Sequence, residues 1–352
     1  MAEIILYTLG LLMVAATLLP LVDLDEWWVR VFDFPRLQIT FLLAVVLAAY
    51  IALRNESSAW EYVFIAASTG CLLYQAYRMY PYTPVARQQV QPSRSTDPNA
   101  AFSLLFANVL MTNRNSAGLL RLIERYDPDV ILTVECDSWW ERQLAGIVRS
   151  HPYSVVQPQD NTYGMLLYSR LVLRNAKVQF LVQNDVPSIH ASMRLRCGAE
   201  VELRCLHPRP PVPNENPRST ERDAELLIVG REMKQKQVPA VVLGDLNDVA
   251  WSQTNDLFRA ISGLLDPRIG RGFYHTFNAK WPLIRFPLDH FFHSRHFRLV
   301  DFRRLPKFGS DHFPVYIKLS FEPDAEAQQE HVKASADDRR AAQQKIQAAQ
   351  SR

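Results

Sequence analysis

Val241-Val242-Leu243-Gly244-Asp245-Leu246-Asn247-Asp248 is the stretch on which the reading of this chain turns. An apolar run ends at a glycine, and a carboxylate and a carboxamide follow two residues apart. Such a run reads as a strand covered on both faces. Gly244 permits a turn, or lets a ligand come close. Alternation along a strand would put Asp245 and Asn247 on one side. Taken alone, the stretch is equally a buried strand with a polar turn. The rest of the chain decides between the two.

The chain has 352 residues, enough for two or three units, and a net charge of +3, too small to imply a partner for the whole. Cys71, Cys136, Cys197 and Cys205 are scattered, with no metal spacing, and read as free thiols.

The apolar residues are unevenly spread. Residues 4–22 carry no charge, residues 37–53 form a second apolar run, and residues 59–77 a third that includes Glu61. Each is close to bilayer-spanning length. Trp27, Trp28, Trp60, Tyr62, Tyr74, Tyr77, Tyr80 and Tyr82 sit beside the ends of the runs, as an interfacial aromatic belt does. The expectation is therefore a membrane domain of three transmembrane helices over residues 1–80, in the cell (inner) membrane. Arg54 on one side opposes Arg30, Arg36, Arg78, Arg87 and Arg94 on the other. That margin is small, so the side occupied by the large domain stays open. Residues 81–99, rich in Pro, Gln, Ser and Arg, are expected to form a flexible linker. Residues 322–352, rich in Ala, Gln, Glu and Lys, are expected to be a solvated, at most marginally helical tail.

Residues 100–321 alternate short apolar runs with helical periods. Strands are expected at 102–107, 130–134, 153–156, 165–168 and 172–182. A hairpin follows over 189–206, then the central strand, a strand pair over 283–292 and 297–305, and a last strand at 315–321. Helices fall at 116–126, 139–149, 219–236 and 255–261. Strand dominance with helices between predicts two packed sheets covered by helices. Several of these strands close on groups that carry chemistry: Asn108, Glu135, His207, Asp245, Asn247 and, further on, Asp289, Asp311 and His312. Each residue has a plain explanation as a turn former or a solvated edge. Together they place acids, amides and imidazoles at strand ends, where α/β sheets build sites. Oxygen donors such as Glu135, Asp311 and Asn108 suit Mg2+ or Mn2+. A His–carboxylate pair suits proton transfer from water. No G-x-S-x-G stretch occurs, which points away from a covalent serine intermediate.

Gly244-Asp245-Leu246-Asn247, Leu288-Asp289-His290 and Ser310-Asp311-His312-Phe313-Pro314-Val315 resemble the signature of the endonuclease/exonuclease/phosphatase (DNase I-like) superfamily. The resemblance covers residues 102–321, including the Asn and the Glu that close the first two strands and a mid-chain His. It implies a four-layer α/β/β/α sandwich behind the N-terminal transmembrane helices, and a metal-dependent phosphoesterase. By position it makes Glu135 the principal metal ligand, with Asn108 and Asp311 nearby. It makes Asp245 and Asn247 the pair that orients water and phosphate. His312 becomes the essential imidazole, oriented by Asp289, and His207 a phosphate contact. The run Pro208-Arg209-Pro210-Pro211-Val212-Pro213 departs from a typical nuclease sequence, and Arg209 is read as a substrate-binding residue.

The superfamily does not fix the substrate. The soluble part has only a mild excess of Lys and Arg, without a long basic block, where a nuclease would show a stronger basic stripe. A membrane tether raises the local concentration of lipid-linked substrates. A lipid-linked phosphate ester is therefore the expected substrate and membrane lipids the expected surroundings. A nuclease acting on nucleic-acid phosphodiesters is the alternative, and a catalytically silent binding module a second.

Overall fold

Two mixed sheets face each other across the centre of the molecule. The computed structural model describes residues 1–54 and 58–351. One sheet has six strands in the order β10 (Phe297–Arg304), β11 (Val315–Phe321), β1 (Ala101–Asn108), β2 (Val130–Val134), β4 (Met165–Ser169) and β3 (Tyr153–Gln157). The other has five: β5 (Val172–Gln179), β6 (Ser188–Arg194), β7 (Glu200–Leu206), β8 (Ala240–Asp245) and β9 (Asp289–His293). β1 and β2 run parallel, as do β7 and β8, and the remaining neighbours are antiparallel.

The alternation of each strand assigns its side chains to layers. Phe102, Leu104 and Phe106 of β1 meet Leu203, Val241, Leu243 and Phe291 in the core between the sheets. The opposite parity of the first sheet, including Leu105 and Ile131, is covered by α5 (Ser116–Tyr126) and α6 (Ser138–Leu144). Val242 and Phe292 are covered by α7 (Thr220–Lys236) and α8 (Gln253–Ser262). The result is the four-layer α/β/β/α sandwich expected from the sequence. Burying each large aliphatic or aromatic side chain of these layers contributes about 1.5–3 kcal/mol.

Two expectations about the edges are corrected. The strand pair foreseen over 283–292 and 297–305 does not form: β9 pairs with β8 in one sheet and β10 with β11 in the other. A short link that changes sheets looks like a hairpin when only apolar runs are visible. The segment 81–99 lies along the domain rather than free of it. Ser93 N–H donates to Leu299 O at 2.8 Å, and Leu299 N–H to Gln91 O at 3.0 Å. Val90 enters the inter-sheet core. One apolar side chain and an open strand edge suffice to bind a chain that is otherwise polar.

The C-terminal segment is likewise packed. Following the short α9 (Ala325–Gln328), α10 (Ala336–Gln350) buries Ala342 and Ile346 against Leu227 and Ile261. These two apolar residues, four apart, share one face. Lys345 reaches Asp25 at 2.7 Å and Asp223 at 3.1 Å.

α1 (Ala2–Leu18), α3 (Arg36–Leu53) and α4 (Ala59–Met79) pack on one another, with the short α2 (Trp27–Arg30) between α1 and α3. Among the described residues two helices, over Ala2–Leu21 and Arg36–Leu53, are long and apolar enough to cross a membrane. The expected third span is not in that class, because Glu61, Ser68, Gln75 and Arg78 dilute α4. At the end nearest the sandwich, Arg36 donates to Asp33 at 2.6 Å and to Gln75 at 3.0 Å, and Gln75 donates to Thr17 at 3.2 Å. Trp251 Nε1–H donates to Asp33 O at 2.7 Å, and Tyr82 OH to Ala250 O at 2.5 Å. These bonds seat the helices on the loop that follows β8.

α7 contains an acid with an unusual environment. Glu225 is buried, its Oε1 has no hydrogen-bond partner among the described residues, and burial pushes its carboxyl up to about 8 from 4.5. Between those values the folded chain holds a proton that the unfolded chain releases. Stability therefore falls as pH rises through that window, by up to about 1.4 kcal/mol per unit from this group. Glu225→Gln is expected to flatten the decline and to raise the melting temperature more at pH 8 than at pH 5. Parallel melting profiles for the two chains would refute this.

Candidate active site

The parity that fills the inter-sheet core also builds the site. Asn108 continues the Phe102–Leu104–Phe106 face of β1, Asp245 the Val241–Leu243 face of β8, and His207 the Leu203–Cys205 face of β7. Asp289 has the parity of Phe291 at the start of β9, which runs against β8, so the register sets Asp289 beside Asp245. Polar groups thus close the core at one end of the sandwich. Glu135 has the wrong parity for that face. It follows β2 with φ 60°, and this left-handed turn re-aims it.

The hydrogen bonds hold the cluster together. Asn108 Nδ2 donates to Glu135 Oε1 at 2.7 Å and to Asp245 Oδ2 at 3.0 Å, and Asn108 Oδ1 accepts from Leu110 N–H at 3.0 Å. Glu135 Oε2 accepts from Met111 N–H at 3.3 Å. His312 Nδ1 sits 3.1 and 3.2 Å from the two oxygens of Asp289, and its Nε2 is 3.5 Å from Asp245 Oδ2. His207 Nε2 is 4.0 Å from the same oxygen. Asp311 is half-buried at the rim.

Asn247 reaches the site by a different route from the one expected. β8 ends at Asp245, and Asn247 has φ 51°, so strand alternation does not place it. Its N–H donates to Asp245 Oδ1 at 3.0 Å and its Nδ2 to Pro208 O at 2.9 Å, which ties it to the residue after His207. Arg222 braces this turn from below, donating to Asn247 O at 2.8 Å and lying 3.3 Å from Asp248. Gly244 is also explained differently. Its φ is +149°, and a Cβ there would lie 1.8 Å from Leu206 O, so the close neighbour is strand β7 rather than a ligand. Arg209 stands one layer behind the cluster. It pairs with Asp185 at 2.5 Å and lies over the ring of Tyr163, which itself packs on His207. With its charge paired, Arg209 is a wall residue here, not a free anion contact.

Three residues escaped the sequence reading. Ser310 Oγ donates to Asn108 O at 2.8 Å and accepts from His312 N–H at 3.0 Å, fastening the last loop to β1. Thr276 Oγ1 accepts from Asp289 N–H at 3.1 Å. Tyr163 carries the His207 ring. Ser310 lies inside a motif already noticed. Thr276 and Tyr163 sit in loops without a pattern.

Burial dominates the electrostatics. It pushes the Glu135 carboxyl up to about 6, against the pull of Asn108 and His312. It raises Asp245 as well, and it lowers His207 to about 4, which leaves that ring neutral near pH 7. His312 goes the other way. Burial disfavours its charge, but Asp289 and Asp245 outweigh that and raise it to about 10. Among the described residues no Lys or Arg pairs with Glu135, Asp245, Asp289 or Asp311. Four carboxyl groups thus face one imidazolium, a balance that a divalent cation would complete. Asp245, Asp289 and His312 place one ligand atom each within 4.8 Å of one another and form a group that could hold a metal ion. The Asp289–His312 hydrogen bond accounts for much of that proximity. Glu135 is joined to that group through the Asn108 amide, which donates to both Glu135 and Asp245.

The model of the Endonuclease/Exonuclease/phosphatase family matches residues 105–312. No curated protein matches the chain. Among solved structures, D. rerio TDP2 in complex with a single-strand DNA product is similar at 16% identity and a TM-score of 0.52, covering 62% of this chain and 99% of that one. The catalytic domain of human Nocturnin with bound sulfate is similar at 16% identity and 0.52, covering 64% and 96%. An endonuclease/exonuclease/phosphatase from Bacteroides vulgatus gives 14% identity and 0.52, covering 63% and 99%. These similarities show the fold, and the family match runs from within β1, ahead of Asn108, to His312. The chain belongs to the endonuclease/exonuclease/phosphatase family and is a hydrolase of phosphate esters.

Proposed function

We propose that this chain is a membrane-anchored, divalent-metal-dependent hydrolase of a lipid-linked phosphate ester. The observation that carries the chemistry is the His312–Asp289 pair facing Asp245 in a pocket where carboxylates outnumber cations. Glu135 would be the main ligand of Mg2+ or Mn2+, with Asp311 and Asn108 at the same edge. The cation neutralises charge on the non-bridging phosphate oxygens when bound. Asp289 fixes the Nδ1 side of His312, so Nε2 points to Asp245 and the reacting phosphate. Water attacks phosphorus and gives its proton to Asp245, the new P–O bond forms as the bond to the leaving oxygen breaks, and the protonated His312 gives that oxygen a proton and regains one from Asp245. Asn247, held by Pro208 and Asp245, orients the water or a phosphate oxygen. His207, neutral and braced by Tyr163, contacts the phosphate.

The substrate class rests on the N-terminal helices. Ile4, Leu12, Phe41, Val45 and Val63 are exposed on their surface. That surface suits lipid, and it supports anchoring in a membrane through α1 and α3. The alternative, a nuclease, is favoured by the single-strand DNA product that D. rerio TDP2 holds.

Chelation by EDTA is expected to abolish hydrolysis of bis(p-nitrophenyl) phosphate, and Mg2+ or Mn2+ to restore it. Turnover that survives exhaustive chelation would overturn the metal assignment. Phosphate or headgroup release from lipid micelles should exceed plasmid nicking at equal metal. Efficient nicking with an inert lipid panel would make the chain a nuclease.

A further inference from the structure

The loop between Ala279 and Phe286 combines three features. Its tip is strongly exposed and apolar: Trp281 is 65% exposed, Leu283 83% and Ile284 54%. Its outer side touches the membrane-spanning part, since Gln38 Nε2–H donates to Leu283 O at 2.9 Å. Its root touches the catalytic cluster. Ala279 N–H donates to Asp311 O at 2.6 Å, and the Phe277 ring packs on His312 with centroids 5.0 Å apart.

Gln38 is in the first turn of α3, about 3 Å along the axis from its start at 1.5 Å per residue. Phe41 and Leu42, one turn further along, are exposed. The loop tip therefore lies beside the edge of the apolar helix surface. Water is a poor environment for three large apolar side chains so close together. Tryptophan next to a helix end suits the bilayer interface. Between the tip and His312, the guanidiniums of Arg285 and Arg304 lie over the Phe313 ring, 5.0 and 4.4 Å from its centroid. Among the described residues neither pairs with a carboxylate. Each bonds a backbone carbonyl instead, Arg285 that of Asn278 and Arg304 that of His275.

We infer that the Trp281–Leu283–Ile284 tip inserts into the same bilayer leaflet that holds the start of α3, and that Arg285 and Arg304 receive the phosphate of a lipid-linked substrate on its way to His312. The inference rests on the membrane placement under the proposed function and adds the route of entry. The active site opens toward lipid, not toward bulk water. A substrate keeps its apolar tail in the leaflet while its phosphate crosses the arginine–phenylalanine shelf. Arginine suits this step because its planar fork meets phosphate bidentately and keeps its charge.

Two measurements test it in the full chain, reconstituted in nanodiscs of phosphatidylcholine and phosphatidylglycerol. In the first, an environment-sensitive fluorophore is placed on Leu283→Cys in a Cys197→Ser background, the other cysteines being buried. Native Cys197 is exposed in the β6–β7 turn, at the far end of the sandwich, and labelled there it serves as the reference. Spin-labelled lipid is expected to quench the probe at position 283 at least threefold more than the reference. Equal quenching overturns the insertion. In the second, Trp281→Ser, Leu283→Ser and Ile284→Ser are combined, and Arg285→Gln is combined with Arg304→Gln. The tip variant is expected to hydrolyse soluble bis(p-nitrophenyl) phosphate within twofold of the parent, which also reports correct folding, and the arginine variant is expected to melt within a few degrees of the parent. Both are expected to lose at least tenfold on phospholipid presented in the nanodisc. Unchanged lipid turnover overturns the route of entry. A chain that shows the quenching but cleaves no phospholipid overturns the substrate reading alone, because the fluorescence needs no hydrolysis.

Discussion

His312→Ala is expected to lower kcat on a soluble phosphodiester by about 1,000-fold, within the range for removing a positioned acid–base group. Among the described residues the imidazole is the one cationic side chain beside these carboxylates, and it bridges Asp289 at 3.1 Å and Asp245 at 3.5 Å. Its loss removes the proton acceptor's partner and leaves two buried carboxylates facing each other. Asp289→Asn tests the second half of the argument. It keeps the size of the side chain but removes the charge that fixes the ring, so a smaller loss of roughly 30-fold is expected if its role is to orient and charge the imidazole. Steady-state turnover of bis(p-nitrophenyl) phosphate at saturating Mg2+ reads both, with melting temperature recorded alongside. A His312→Ala chain that melts like the parent and turns over within tenfold of it would remove His312 from the mechanism. Equal losses for the two variants would mean that Asp289 does more than hold the ring.

Gly244→Ala is expected to cost roughly 4 kcal/mol of stability, among the largest effects for a single substitution. Two causes add. The backbone at φ +149° is unfavourable for any L side chain, and the new Cβ would stand 1.8 Å from Leu206 O and 2.8 Å from its carbonyl carbon. Both contacts are with backbone, so no side chain can rotate away. β7 and β8 would have to separate at Leu206↔Gly244, the last pair before His207 and Asp245. Activity should therefore fall together with stability. Gly146→Ala provides the control, because nothing lies within 4 Å of the Cβ it would add. Tryptophan-monitored denaturation of the solubilised chain reads the difference. A midpoint shift no larger than that of Gly146→Ala would show that the strands can part at little cost.

The same glycine marks how far the sequence could be read. Gly244 was visible as a special backbone position, but two uses were open, a turn or the approach of a ligand. The tertiary structure gave it to the neighbouring strand. Asp245 was legible because alternation from Val241 and Leu243 is local, and the residue stays in register to the end of β8. Alternation along β8 does not account for the position of Asn247. The strand stops two residues earlier, and a left-handed turn with a bond to Pro208 O holds it. Arg209 was visible as a lone cation among prolines, but its pairing with Asp185 depends on a loop far away in the sequence.

By itself the sequence determined the layers and the strand ends that carry acid, amide and imidazole, because hydrophobic alternation and turn residues are short-range signals. It also determined that the N-terminal part holds long apolar helices. Tertiary structure alone decided that β9 and β10 part into different sheets, that residues 81–99 are bound along β10, and that α10 covers α7. These outcomes depend on which open edge or exposed face a weakly apolar segment finds, and such a partner is not encoded within a few residues. Tertiary structure alone also brought the exposed Trp281–Ile284 tip, the start of α3 and His312 into one region, since their proximity is set by a hydrogen bond between residues 245 positions apart.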